Sequence, residues 1–206
     1  MNMEFTFRRA TAEDTNDCID LVYSSGPQLL DYIFTSGKKT AKDYLAFEFQ
    51  NGFGFQGHRA HTVAVHNGKV VGVASFYNKA DSKRMEMETF KNLLRFYGLI
   101  NIIPIIIRSL HAKKVVESPR SNSIYIANVG VKPEMRSHGV GSALIKQAME
   151  KAKRDGYKEM SLDVASDNPR AEALYQRLGF QFVKEKLFRN GKMPDFPRGG
   201  LYVLNL

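Results

Sequence analysis

The segment that most constrains this 206-residue chain runs from Ile124 to Lys153. Ile124–Val131 reads as a strand, and Ala143–Lys153 has the apolar spacing of an amphipathic helix. Between them lies Arg136-Ser-His-Gly-Val-Gly-Ser142, a basic residue and two glycines at a strand-to-helix turn. Such a turn makes a seat for a phosphorylated ligand. The first helical N–H groups lack an intrahelical partner and sit at the positive end of the helix dipole. Gly139 and Gly141 remove the Cβ atoms that would hold an anion off the backbone. Two familiar glycine motifs are excluded. No Gly-Lys-Ser/Thr closes the loop as in a P-loop, and Leu144 stands where a dinucleotide fingerprint needs its third glycine. Taken alone, the turn equally suits a chain that merely changes direction.

The rest of the chain supplies a sheet for that unit. Phe5–Arg9 reads as a first strand, and Thr11-Ala-Glu-Asp14 as a capping-box start for a helix over Glu13–Val22. Helical spacing continues to about Phe34, interrupted at Ser24-Ser-Gly-Pro27, and a further helix is expected over Ala41–Phe49. Asn67-Gly68 between the apolar runs 62–66 and 70–76 predicts a β-hairpin. Met160–Ala165 reads as a strand, Asn168-Pro169 opens a helix stopped by Gly179, and Phe180–Lys186 and Leu201–Asn205 read as closing strands around a Gly/Pro-rich loop, 190–200. The pattern predicts one α/β or α+β domain over 1–206.

Residues 79–122 are the least expected part. Met85–Phe96 looks helical, Leu99–Ile107 is strongly apolar, and Pro104 is positioned to open a second helix ending near Val116. The apolar run is shorter than the ~20 residues a membrane span needs, so no span is predicted. The expectation is a buried helical hairpin packed on the sheet; a substrate-pocket wall or a homodimer surface is the sharper alternative.

Composition adds bounds. A net charge of +9 suits a polyanionic ligand, but no aromatic–basic interleaving of the RNA-binding kind occurs, which argues against nucleic acid as partner. The single cysteine, Cys18, excludes an intramolecular disulfide or a cysteine-rich metal site, and it reads as a buried spectator. No metal is expected. The N-terminus has no secretory-type apolar segment, and a cytoplasmic location is expected.

Three motifs then fall in one order: Val129-Gly-Val-Lys-Pro133, Arg136-x-x-Gly139-x-Gly141, and Asn168-x-x-Ala171-x-x-x-Tyr175-x-x-x-Gly179-Phe180. In this the chain resembles the GNAT superfamily of acyl-CoA-dependent N-acyltransferases, most closely over 124–183. The resemblance implies a mixed, mostly antiparallel central sheet flanked by helices, with the helical stretch at 79–122 as an insertion. It implies acetyl-CoA as co-substrate and a primary amine as acceptor, whether on a small molecule or on a peptide or protein, in an enzyme of the bacterial cytoplasmic kind.

The resemblance also implies residue roles. Arg136, Ser137, His138, Gly139, Val140, Gly141 and Ser142 would hold the CoA pyrophosphate, with His138 a loop residue rather than a catalyst. Val129 and Val131 would pair with the pantetheine arm, and the Val129 N–H would donate to the thioester oxygen. Gly130 is expected to mark a bulge that splays the strand from Met160–Ala165. Asn168 would cap its helix and bond the cofactor arm, with Ala171 small enough to let the arm approach. Tyr175 would protonate the departing thiolate, against the alternative of an amphipathic core tyrosine. Asp163 stands where some relatives carry a working carboxylate, as general base or as a strand-end hydrogen-bond acceptor. Tyr125 and Asn128 lie on the substrate-side strand without being convincing bases, and Glu134 reads as a turn residue. Glu86 and Glu88 would acidify an acceptor cleft or simply form a solvated helix face. Two rival functions stay open: a non-catalytic acyl-CoA sensor, and an acetyltransferase acting on aminoacyl-tRNA.

Overall fold

The structure is a computed structural model that describes residues 3–113, 116–186 and 199–206. Most of the expected Gly/Pro-rich loop, 190–198, lies outside the described residues. The chain forms β1 (Thr6–Arg9), α1 (Thr15–Ser24), α2 (Pro27–Phe34), α3 (Ala41–Asn51), β2 (His61–His66), β3 (Lys69–Tyr77) and α4 (Lys79–Ala112). It continues through β4 (Ser123–Val131), α5 (Val140–Arg154), β5 (Glu159–Ala165), α6 (Pro169–Arg177), β6 (Gln181–Lys186) and β7 (Gly199–Asn205). The strands make one sheet in the order β1-β2-β3-β4-β5-β7-β6. Every pairing is antiparallel except β4 with β5, whose parallel join requires the crossover that α5 supplies.

Local chemistry accounts for the elements. Asn67 and Gly68 both take positive φ, 50° and 74°, which matches the tight turn joining β2 to β3 to the strands' own twist. The Thr11–Asp14 capping box forms, and Asp14 also accepts two bonds from Arg8 on β1, at 2.6 and 2.8 Å. Pro27 begins α2 and Thr40 caps α3, accepting from the Asp43 N–H.

Strand alternation divides the core. Val63 and Val73 pack with α1–α4, whereas their neighbours Ala64 and Ala74 pack under Val140 and Leu144 of α5. On β4 and β5, Ile126, Leu162 and Val164 join Ile145 of α5 and Tyr175 of α6. One sheet face therefore carries α1–α4, and the other carries α5 and α6.

The insertion differs from expectation in three respects. The break falls at Gly98, whose φ of 76° and ψ of 171° are non-helical, and Pro104 lies inside the second arm. The arms fold back on each other, since Lys113 at one end of α4 pairs with Glu86 near the other. The hairpin packs chiefly on α2 and α3 rather than on the sheet, and much of its apolar surface stays exposed, including Leu99 at 78% and Ile100 at 83%. By length and composition, Lys79–Ala112 is also apolar enough to cross a membrane, which the run 99–107 read alone did not indicate. The fold-back at Gly98 is at odds with a single straight span.

The cleft in the sheet arises between β4 and β5. Their parallel pairing stops at Ile126–Leu162. Just beyond, Val73 pairs with Gly130 and Ser75 with Ala127, so Asn128 and Val129 together face Ala74. This is a β-bulge, and Asn128 takes φ 53° to make it. The bulge was expected at Gly130. That glycine serves a different purpose, because a Cβ there would come within 2.3 Å of the Leu21 carbonyl oxygen of α1.

Candidate active site

At one end of the cleft stands the start of α5. Gly139 is its N-cap residue in the left-handed region, φ 86°, and no side chain caps the helix. The Ala143 N–H returns to the Gly139 carbonyl at 2.9 Å. The N–H groups of Val140, Gly141 and Ser142 lie in the first turn, where the helix offers no acceptor. Together with the dipole they favour an anion. A Cβ on Gly139 would meet nothing within 4 Å, so glycine is required there by φ rather than by space. Gly141 differs: its Cβ would lie 3.3 Å from Leu174 of α6, so its smallness brings α5 close to α6 rather than admitting an anion.

Cations and loop pins complete this end. Arg136 is exposed beside the loop, its Nε directed at the Val131 carbonyl. His138 Nδ1 lies 2.9 Å from the Arg136 carbonyl, which makes it a loop pin. Ser137, at φ 66°, accepts a bond from Arg170 Nη2 at 2.7 Å. Arg170 is thus a second guanidinium at the same loop. The sequence reading missed it, although its place two residues after the Asn168 cap was a usable signal. Asn168 Oδ1 accepts the Ala171 N–H at 3.1 Å, and Ala171 is half-buried against the core under α6. The donor set of three amides and two guanidiniums fits a pyrophosphate.

The two proposed catalytic side chains stand on opposite sides of the sheet. Tyr175 packs on the α5–α6 side, edge-on to Phe180 at 5.9 Å, and burial raises its pKa and keeps the phenol protonated. Asp163, between Leu162 and Val164, faces the α1–α4 side. Its Oδ2 accepts from the Tyr125 hydroxyl at 2.7 Å and from the Glu117 N–H at 2.8 Å, while Oδ1 lies 2.8 Å from Lys186 Nζ. Lys186, with only 9% of its side chain exposed, also pairs with Glu117 at 3.1 Å. Tyr125 is buried, and its pKa is raised first by desolvation and then by Asp163, with Tyr77 and Tyr175 adding to it. Lys186 and Glu117 escaped the sequence reading because their meeting depends on how β6 and the segment before β4 converge on β5.

The bulge is held from the same side. Asn128 Nδ2 donates to Gln56 Oε1 at 2.9 Å and contacts His61 Nε2 at 3.1 Å, and His61 Nδ1 lies 3.0 Å from the Gly57 carbonyl. With Nδ1 donating and Nε2 accepting, the ring is neutral, and burial pushes its pKa down to about 4. An aromatic row, Phe55–Tyr77–Tyr125, runs up to Asp163 with centroid separations of 5.6 and 5.5 Å. Glu86 and Glu88 are engaged elsewhere, with Lys113 and Lys91.

A family model described as the acetyltransferase (GNAT) family matches residues 27–180. The chain belongs to that family. It is 39% identical over 66 residues, 32% of its length, to thialysine N-epsilon-acetyltransferase of Bos taurus. It is 31% identical over 83 residues, 38% of its length, to L-2,4-diaminobutyric acid acetyltransferase of Nocardia farcinica. These matches span only 39% and 42% of the relatives' own lengths. A crystal structure described as an acetyltransferase superposes with a TM-score of 0.67 at 23% identity, covering 97% of this chain and 98% of the other, which shows the shared fold.

Proposed function

We propose that the protein transfers an acetyl group from acetyl-CoA to a primary amine held with the donor in one ternary complex. The observation that carries this reading is the cleft itself. The β4–β5 splay has an anion seat at one end, an unpaired bulge at its centre, a buried phenol on one face and a carboxylate on the other. Family membership supports the same chemistry.

Acetyl-CoA, when bound, supplies an activated thioester. The amides of Val140, Gly141 and Ser142, with Arg136, Arg170 and the 137–139 loop, hold its pyrophosphate. Val129 and Val131 offer backbone groups to the pantetheine arm, and Asn168 and Ala171 shape the facing wall. The Val129 N–H donates to the thioester oxygen, where negative charge develops. Tyr175 delivers a proton to the leaving sulfur; its raised pKa means that delivery is coupled to bond cleavage rather than preceding it. Asp163 receives the acceptor's proton from the opposite face, and Lys186 yields Oδ1 as the amine arrives.

The acceptor is a small primary amine. Two relatives carry names that specify thialysine and L-2,4-diaminobutyric acid, which supports that class, whereas a third, of Bacillus subtilis, is named for the alanine of a ribosomal protein. The test is release of free CoA thiol over a panel of diamino acids, diamines, peptides and aminoacyl-tRNA. Turnover with a small amine is expected. Release only with peptides or tRNA overturns the acceptor class, and acetyl-CoA binding without release from any acceptor favours a sensor.

A further inference from the structure

Among the described residues, no other element covers the apolar face that the α4 hairpin presents. Leu99, Ile100, Ile103, Ile107 and Leu110 are all at least half exposed. At 100° per residue, positions 99, 100, 103, 107 and 110 fall on one stripe of the second arm. The opposite stripe, with Ile102 and Ile105, is the one buried in the core. Of the apolar stretch within α4, only 22% is buried, which is not the pattern of a core helix. The most exposed of these residues, Leu99 and Ile100, sit at the bend, at the tip of the hairpin.

The charges around this face are mostly basic, with Glu86 and Glu88 of the first arm paired to Lys113 and Lys91. Residues 89–116 contain Lys91, Arg95, Arg108, Lys113 and Lys114, and no Asp or Glu. Arg95 is exposed one turn before the bend. We propose that this face docks on an anionic lipid bilayer surface, the apolar tip entering the headgroup region and the basic flank contacting the lipid phosphates. Apolar insertion and a basic flank are the two signals that make peripheral attachment stable. A second copy of the chain is a poorer occupant. An isologous contact through the same stripe would bring two like-charged hairpins together. The fold-back at Gly98 also leaves the hairpin suited to lie on a bilayer rather than to cross it.

The experiment is co-sedimentation of the whole protein with vesicles of phosphatidylcholine alone or mixed with phosphatidylglycerol, at low and high salt. Binding to the anionic vesicles should be roughly tenfold or more tighter than to phosphatidylcholine, and it should weaken as salt rises. The charge-neutral pair Ile100→Ser with Ile103→Ser should release the protein from the vesicles. Lys91→Gln with Arg95→Gln should also weaken binding, while Lys153→Gln with Arg154→Gln at the far end of α5 should not. Thermal unfolding of each variant confirms that the fold persists. Equal binding to both vesicle types, retention by the Ile→Ser pair, or equal loss from the remote basic pair each overturns the proposal. So does a lipid-free dimer by light scattering that the Ile→Ser pair dissociates.

Discussion

Lys186 Nζ stands 2.8 Å from Asp163 Oδ1, so the carboxylate proposed to accept the substrate's proton already holds an ammonium of the protein's own. An incoming amine must displace it. Replacing Lys186 by Met should lower KM for the amine by freeing that oxygen. It should also lower thermal stability, because Asp163 and Glu117 then face each other without their shared cation. Steady-state kinetics and a melting curve check both halves. An unchanged or raised KM would mean that the acceptor does not use Oδ1.

Asp163→Asn keeps an oxygen for the Tyr125 hydroxyl but cannot take a proton. The expected result is a kcat lower by roughly 10²-fold with acetyl-CoA affinity little changed. A structural role alone would reduce stability and leave kcat intact.

Tyr175→Phe removes the proposed acid and preserves the edge contact with Phe180. Turnover should fall by roughly 10²-fold while acetyl-CoA affinity changes little. Equal activity in the variant would reduce Tyr175 to a core residue.

Glu48 is fully buried on α3, accepts the Thr89 hydroxyl of α4 at 2.6 Å, and has its pKa pushed up to about 7 by desolvation. Its ordinary value is 4.5. The folded state therefore binds this proton more firmly than the unfolded state. The resulting stability is complete below about 4.5 and is lost as pH rises through about 7. Glu48→Gln should stabilise the protein at pH 8 by about 3 kcal/mol. Denaturant titration at pH 5 and pH 8 tests this, and a variant less stable than the parent at pH 8 would refute it.

His61 gives the opposite sign. Its pKa falls to about 4, so the unfolded state takes up the proton first, and stability is lost as pH drops from about 6.5 toward 4. A proton on Nε2 would face the Asn128 amide and loosen the bulge. The ring resonances of His61 should titrate near 4, and a midpoint near 6.5 would contradict the buried neutral tautomer.

Residues that act through local geometry were legible in the sequence, and residues that act through distant pairing were not. The Asn67-Gly68 turn and the Asn168 cap each depend on a few neighbouring residues and appear where the spacing put them, while the helix expected over Ala143–Lys153 begins three residues earlier, at Val140. Gly130 was read as the bulge because glycine commonly marks one. The positive φ belongs instead to Asn128, held by Gln56 and His61 from 72 and 67 positions away. The Lys186–Asp163–Glu117 cluster likewise needs three separate chain segments to converge. The hairpin at 79–112 was visible as helical and apolar, but exposure depends on what packs against it, and the apolar stripe at Leu99–Leu110 faces away from α2 and α3.

The proposed chemistry stands on acetyl-CoA binding at the β4–β5 cleft and the start of α5. Isothermal titration with acetyl-CoA, for the parent chain and for Gly139→Val, tests it most directly. Saturable one-to-one binding by the parent, and its loss in a variant whose φ of 86° no longer suits the residue, is the predicted result. No heat from the parent, or unchanged affinity in the variant, would contradict the assignment of the 136–142 loop.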